Sequence, residues 1–452
     1  MSQTTTPTAP LHTFHCAILH PTEARVLMLQ EDRTWSLPSF EPPDTFVNQI
    51  APVDQAAPER FGIAATVLRC ADFKEDQESV AAVFILEPHG FSRPLAEGER
   101  WIGLADLREL VLAAPEHREL LQRCLSEDAD PRAALAPRPP WASRGWLEEA
   151  KAWIHDELGH LGRRPTSSLE QIKQWSITSL WRQRTSAGDV YFKAVPPLFA
   201  NEGGITQALA GLYPGNIPVP LAVKPERSWM LLEDFGGKTL REAGVVYWQD
   251  ALTRFSHMQV AATRHVGALL GAGCTDRRLD TLSAQLPSLL HDAEELGSLS
   301  EEERQRLHAL EPKLNAMIQD LNGYGIPQTL VHGDLNFNNV ALSGDRIVFF
   351  DWTDGAIAHP FFDLMSFVYF DDAASIGPER WEEMLAAYLE PWTAFEPMPR
   401  LRQAYDLAIM LALLHHAISY KNIRESQEEG ARWELGGTTA YLLRTLLGKV
   451  SK

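Results

Sequence analysis

The chain has 452 residues, enough for two or three domains, and its 45% apolar and 22% charged residues match an ordinary globular protein rather than a disordered one. Its net charge is -19 and it contains no lysine or arginine block, which argues against a nucleic-acid partner. Cys16, Cys70, Cys124 and Cys274 stand far apart without C-x-x-C spacing, so packed, reduced thiols are expected rather than a zinc site or a disulfide framework. The opening "MSQTTTPTAPLHTF" has no signal-peptide pattern and no run of about 18 apolar residues occurs, so a cytoplasmic chain with no membrane partner is expected.

Residues 1–10, rich in Ser, Thr and Pro, read as a loose tail. "FHCAILHPTEARVLMLQ" predicts strand, turn and strand, "AAVFIL" (81–86) predicts a further strand, and "LADLRELVLAAPEHRELLQRCL" has helical periodicity. Residues 11–125 therefore form a small α/β domain in this reading. The Pro- and Ala-rich stretch 126–145 reads as a linker. "WLEEAKAWIHDELGHLG" (146–162) predicts a helix, and "LEQIKQWSITSLWRQRTSAGDVYFKAV" predicts a strand meander. A short helix in "NEGGITQALAGLYP" and a strand pair ending at Gly236 and Gly237 follow. Beyond Leu240 the pattern is mostly helical. The order is α+β: a sheet-rich part at 146–240, then a helical part at 241–452.

The stretch "LVHGDLNFNNVALSGDRIVFFDWTDG" (330–355) interrupts that helical part with polar groups set between apolar runs. Asp334 and Asn339 are five residues apart in a loop, and Asp351 follows a strand-like run. Carboxylate and amide oxygens from neighbouring segments suit Mg²⁺ together with phosphate. A further carboxylate, Asp334, could orient or deprotonate an attacking hydroxyl. These are parts that phosphoryl transfer needs. Each residue alone reads equally as a turn-forming Asp or Asn; the whole spacing favours chemistry.

The stretch resembles the catalytic loop of the aminoglycoside phosphotransferase/choline kinase family, whose members share the protein-kinase-like fold. The pattern H-G-D-x-x-x-x-N is met by His332, Gly333, Asp334 and Asn339, with Asp351 after the next strand and Asp363 in "HPFFDL". The resemblance spans roughly residues 146 to 450 and implies a two-lobed fold that moves the γ-phosphoryl of ATP to a small-molecule hydroxyl, with Mg²⁺. It implies Asp334, His332 and Asn339 as the catalytic group and Asn339 and Asp351 as metal ligands. It implies Lys193 on the α- and β-phosphates, Glu202 as its partner, and Asp363 as an anchor of the loop. Glu233, Asp234 and Phe235 would meet adenine through the backbone. No G-x-G-x-x-G precedes Lys193, so Ser176, Thr178 and Ser179 of "QWSITS" are the expected phosphate-covering residues. Asp354 reads as an Asp-Gly turn or as a further carboxylate of the site.

The acceptor stays open among sugars, amino sugars, aminoglycosides and amino alcohols. Acidic runs at 369–374, 379–384 and 425–430, and Trp352, Trp381 or Trp392, are candidates to meet it, although charge runs are usually solvated faces and tryptophans usually core. His415 and His416 read as packed residues. Residues 12–123 resemble a degenerate Nudix domain through "RTWSLPSF" and "AAPERFGI", where Glu59 is the one retained glutamate; an unrelated α/β domain is an equal reading. A nucleotide-binding pseudokinase with a regulatory N-terminal domain is the alternative function. Protein kinase activity is disfavoured because "HPFFDL" arrives eight residues after Asp351, leaving no activation segment.

Overall fold

Alternation along residues 11–31 builds two paired runs, as expected, but they enter different sheets in the computed structural model, which describes residues 11–42, 50–76, 79–90, 93–130, 138–369 and 376–450. The tail 1–10 and residues 131–137 of the expected linker lie outside the described residues. β1 (Leu11–Ile18) pairs in parallel with β6 (Ser79–Pro88), which pairs antiparallel with β5 (Ala65–Glu75); β4 (Ser39–Phe40) closes the other edge. β2 (Arg25–Glu31) joins β3 (Thr34–Ser36) and β7 (Glu99–Gly103) in a three-stranded sheet. Successive side chains of β1 serve opposite faces. Phe14, Cys16 and Ile18 pack on the helix Ala51–Phe61 through Ile50, Val53 and Ala57, while Ala17 and Leu19 share a core with Leu120, Leu121 and Leu125. The helical periodicity after Leu104 is realised as two helices, Leu104–Glu109 and His117–Ala129, separated by a segment that holds Pro115.

Two compact units emerge, and their division does not follow the expected boundaries. The first is Met1–Pro196 with Ser426–Glu434; the second is Pro197–Glu425 with Leu435–Lys452. The meander β8 (Glu170–Trp175), β9 (Thr178–Thr185) and β10 (Gly188–Ala194) thus clusters with the N-terminal domain. Side-chain amides explain why. Gln171 Nε2 donates to the Val67 carbonyl at 2.8 Å while its Oε1 accepts from the Val67 N–H at 3.1 Å, and Gln174 Nε2 donates to the Leu68 carbonyl at 3.0 Å. All of these groups are buried, so β8 side chains act as extra rungs on β5.

The described ends of the expected linker are likewise structured. Trp141 is buried in a short 3-10 turn and its indole N–H donates to the Trp175 carbonyl at 3.0 Å, while Arg138 bridges Glu127 and Glu428 at 2.9 Å each. Glu428 belongs to the returning segment 426–434, whose Trp433 stacks on Phe73 with ring centroids 4.1 Å apart.

In the second unit β11 (Pro220–Lys224) and β12 (Trp229–Glu233) form an antiparallel pair. One three-stranded sheet orders β13 (Lys238–Thr239), β16 (Val340–Ser343) and β17 (Arg346–Phe349); another orders β14 (Thr275–Asp276), β18 (Ala356–Ala358) and β15 (Thr329–Val331). Around them pack the helices Trp248–Ala262, Leu279–Leu290, Glu301–Asn322, Pro378–Leu389, Met398–Ser426 and Thr438–Val450. The helix Glu301–Asn322 begins at a Ser300/Glu303 capping box, which satisfies two otherwise unpaired backbone donors. Among the described residues no helix is long and apolar enough to cross a membrane. The mixed α+β architecture expected from the sequence is the one observed.

Candidate active site

β15 delivers the chain to His332, Gly333 and Asp334, and the turn there has an identifiable cause. Gly333 has φ +82°, and a Cβ on it would stand 2.5 Å from the Asp354 carbonyl oxygen and 2.6 Å from the Asp354 Cβ. Only glycine lets these two segments approach so closely. The loop is then pinned from behind. Buried Asp363 accepts the His332 N–H through Oδ2 and the Gly333 N–H through Oδ1, both at 2.9 Å, and Gln259 Nε2 donates to Oδ2 at 3.0 Å. Gln259 Nε2 also donates to the Leu330 and Pro360 carbonyls, and its Oε1 accepts from the Tyr388 hydroxyl at 2.5 Å. Burial pushes the Asp363 carboxyl up to about 7, against the pull of the two backbone donors.

The front of the loop holds the reactive-type groups. Asp334 Oδ2 accepts from Asn339 Nδ2 at 2.8 Å and Oδ1 from Asn336 Nδ2 at 3.0 Å, and both amides also reach the Asp334 carbonyl. With its nitrogen so committed, Asn339 keeps its carboxamide oxygen for another partner. The hairpin β16–β17 then turns the chain back, and the Phe350 N–H bonds the Asn339 carbonyl at 3.1 Å. Asp351 next adopts φ +67°, a left-handed conformation uncommon outside glycine and concentrated at functional sites. Its Oδ1 accepts from the Thr353 hydroxyl at 3.0 Å. Asp354 forms a turn, with the Gly355 N–H on the Trp352 carbonyl, and it also faces Arg277 Nη2 at 3.5 Å.

Burial, then the charges of Asp354 and Asp351, raise the Asp334 carboxyl to about 7, opposed by the two asparagine amides. A crowded set of hard carboxylate and amide oxygens fits a divalent cation that keeps part of its shell for phosphate. Among the described residues no group of three His, Cys, Asp or Glu forms a complete metal cage. Asn339 and Asp351 offer an amide and a carboxylate oxygen, donor types that Mg²⁺ accepts.

His332 departs from its expected catalytic place. It is fully buried, its Nε2 lies 2.9 Å from the Phe350 carbonyl, and its ring sits 4.5 Å from Trp352. Through that carbonyl it joins the loop to the Asp351 segment. Trp352 and Trp392 are also fully buried, which corrects their candidacy as stacking platforms; Trp381 is partly buried and packs against the core beside Phe367. The acidic run 379–384 is a largely solvated face, with Glu382 paired to Arg402 at 2.7 Å. Of the run 369–374, residues 370–374 lie outside the described residues. In the run 425–430, Glu425 pairs with Lys421 and Glu428 with Arg138.

Glu233 ends β12; after it Gly236 N–H bonds Asp234 Oδ1 at 2.8 Å and the Phe235 carbonyl accepts from the Ser343 hydroxyl at 2.6 Å. A Cβ on Gly237 would collide with the Leu342 carbonyl, so the bend after Phe235 needs glycine. Glu202 is buried at the first position of the helix Glu202–Leu212 in the second unit, and Lys193 is buried on β10 of the first, opposite Leu180.

The expected phosphate-covering hydroxyls are mostly spent inside the first unit. Ser176 donates its N–H to Glu434 at 3.0 Å and its hydroxyl is held by Glu434 and by Gln427 Nε2, all at 2.5–3.0 Å. Ser179 is fully buried and accepts from the Trp181 indole at 2.8 Å. Thr178 is buried, with no partner for its hydroxyl among the described residues. The Ser176 and Ser179 hydroxyls are thus engaged by side chains of the first unit. Burial also pushes the Glu434 carboxyl from its ordinary 4.5 to about 7, against the Ser176 donors. A carboxyl raised on folding stabilises fully below its unfolded value and loses that contribution as pH rises through its folded value. Glu434→Gln is expected to lessen the fall in thermal midpoint between about pH 5 and about pH 8. An unchanged fall, followed by scanning calorimetry, contradicts this role.

Sequence reasoning missed Gln259 and Arg277, and passed over Asn336. Asn336 lies within the quoted motif, so its signal was present. Gln259 reaches Asp363 from 104 residues away, and nothing local marks it. Arg277 also meets the Ser419 hydroxyl, bringing the helix Met398–Ser426 to the acid cluster. Tyr420, next along that helix, has its hydroxyl raised by burial and by the charges of Asp334 and Asp354.

Comparison with known proteins adds family membership to this geometry. A family model described as the phosphotransferase enzyme family matches residues 169–405, more than half of the chain. No curated protein sequence matches. Among solved structures, the chain is similar to a choline/ethanolamine kinase family protein from Mesorhizobium loti, at 17% identity and TM-score 0.45 over 67% of this chain and 98% of that one. It is similar to a choline kinase from Streptococcus pneumoniae, at 13% identity and TM-score 0.48 over 67% and 99%. It is also similar to a macrolide 2'-phosphotransferase from Brachybacterium faecium, at 18% identity and TM-score 0.44 over 64% and 98%. The Nudix resemblance of residues 12–123 finds no support here, since the matched family region begins at residue 169.

Proposed function

Since the chain belongs to the phosphotransferase enzyme family, we propose that it transfers the γ-phosphoryl of ATP directly to a hydroxyl of a small molecule, with Asp334 as the group that orients and deprotonates that hydroxyl. The observation that carries this reading is the Asp334 carboxylate, clamped by two asparagine amides and set among Asp351 and Asp354 on a loop pinned by Asp363. A carboxyl raised to about 7 is poised to accept a proton near neutral pH. The two amides fix both of its oxygens, so the proton-accepting group is preorganised rather than mobile.

Asn339 and Asp351 would hold Mg²⁺, which supplies charge neutralisation to the phosphates when bound. Lys193 and Glu202 keep the phosphate-side roles that the family resemblance gives them, and the backbone from Glu233 to Phe235 that of meeting adenine. Sugars, amino sugars, aminoglycosides and amino alcohols are the acceptor classes of this reading.

Asp351→Ala is expected to weaken Mg²⁺-dependent nucleotide binding by about tenfold or more, and to leave any binding in chelator unchanged. Titration calorimetry with ATP in Mg²⁺ and in EDTA reads both. Equal affinity of variant and parent in Mg²⁺ contradicts the ligand role.

A further inference from the structure

Residues 426–434 cluster with the first unit, although the chain on either side of them belongs to the second. Two of their side chains meet at one place, the turn Trp175–Thr178 that joins β8 to β9. Glu434 Oε2 accepts the Ser176 N–H at 3.0 Å and the Ser176 hydroxyl at 2.5 Å, while Gln427 Nε2 donates to that hydroxyl at 2.5 Å. The Ser176 donors are thus given to an anion.

This turn lies beside the lysine of the phosphate side. Lys193 stands opposite Leu180 in the β9–β10 ladder. Thr178, where β9 leaves the turn, is two residues from Leu180, about 7 Å at strand spacing. A backbone N–H and a hydroxyl that hold a carboxylate are equally donors for a phosphate oxygen. The carboxylate is not held firmly: burial raises it to about 7 against both Ser176 donors, so its charge is incompletely compensated there. The rest of the segment is fastened elsewhere, by the Glu428 ion pair with Arg138 at 2.9 Å and by Trp433 stacked on Phe73. Turning the Glu434 side chain away therefore leaves those anchors in place.

We propose that Glu434 is an internal competitor for nucleotide phosphate: its carboxylate occupies the Ser176 donors that a phosphate of Mg²⁺-ATP takes when Glu434 turns away, so the contact holds nucleotide affinity down. This rests on the phosphotransferase reading, in which the phosphates lie on the Lys193 side. The turn then has a carboxylate-bound and a phosphate-bound state, and ATP shifts it to the second because it contacts only that one.

Titration calorimetry on the full chain in Mg²⁺ compares ATP with adenosine, which lacks phosphate. Glu434→Ala is expected to tighten ATP at least about fivefold and to leave adenosine within about twofold. Glu434→Gln removes the charge but keeps the size and an acceptor for the Ser176 N–H, so it should tighten ATP about twofold or more even where alanine disturbs folding. Adding Ser176→Ala to Glu434→Ala should take back about threefold or more, because the phosphate then loses the hydroxyl. Mere removal of a repelling charge would leave the double variant as tight as the single one. ATP affinity unchanged or weakened in both Glu434 variants, equal tightening of adenosine, or no effect of the added Ser176→Ala overturns the proposal. ATP that binds neither parent nor variants removes the phosphotransferase reading itself, and the proposal with it.

Discussion

Replacing Asp334 with alanine is expected to lower turnover by about 10²–10⁴-fold, the usual contribution of a positioned general base, while the fold is retained. The second half of that expectation follows from the local electrostatics. Asp334 is raised to about 7 by burial and by Asp354 and Asp351, so its charge costs free energy in the folded state and its removal relieves repulsion. The side chain's partners, the Asn336 and Asn339 amides, also reach the Asp334 carbonyl, which alanine keeps. Steady-state turnover and a thermal melt on the same sample check both parts. Parent-like turnover would remove Asp334 from the chemistry, and a large fall in melting temperature would recast it as structural.

Asp363→Ala is expected to do the reverse: to destabilise the second unit by about 2–4 kcal/mol and to lower turnover with it. Asp363 touches no substrate in this account. Its carboxylate accepts two backbone N–H groups of the loop and the Gln259 amide, all in a buried setting. Alanine leaves the buried His332 and Gly333 N–H groups without their acceptor, while Gln259 Nε2 keeps the Leu330 and Pro360 carbonyls, and each unsatisfied donor costs about 1–3 kcal/mol less whatever relaxation recovers. Asp363→Asn should help little, because one of its two positions then presents an N–H to donors. A thermal midpoint within about 2 °C of the parent contradicts the anchoring role.

These two residues show why the site was legible only in part. Asp334, Asn339 and Asp351 lie within eighteen residues, and local spacing carries their chemistry. Asp363 was reached through resemblance, and Gln259, which completes its shell, not at all, because a contact spanning 104 residues leaves no periodic trace. The same limit applied to the fold. Strands and helices announced themselves by alternation, whereas the return of residues 426–434 to the first unit did not. Nor did the rungs that Gln171 and Gln174 make on β5, which group the meander with the N-terminal domain. Trp352 and Trp392 were ambiguous for another reason: an aromatic near a motif packs in a core as readily as it lines a pocket, and here it is core.

The most direct test is ADP release from Mg²⁺-ATP across sugars, amino sugars, aminoglycosides and amino alcohols, with Asp334→Ala as the blank. The account predicts release that depends on one acceptor class and disappears in the variant. Acceptor-independent release, release that persists in the variant, or tight Mg²⁺-ATP binding with no transfer to any class would contradict it.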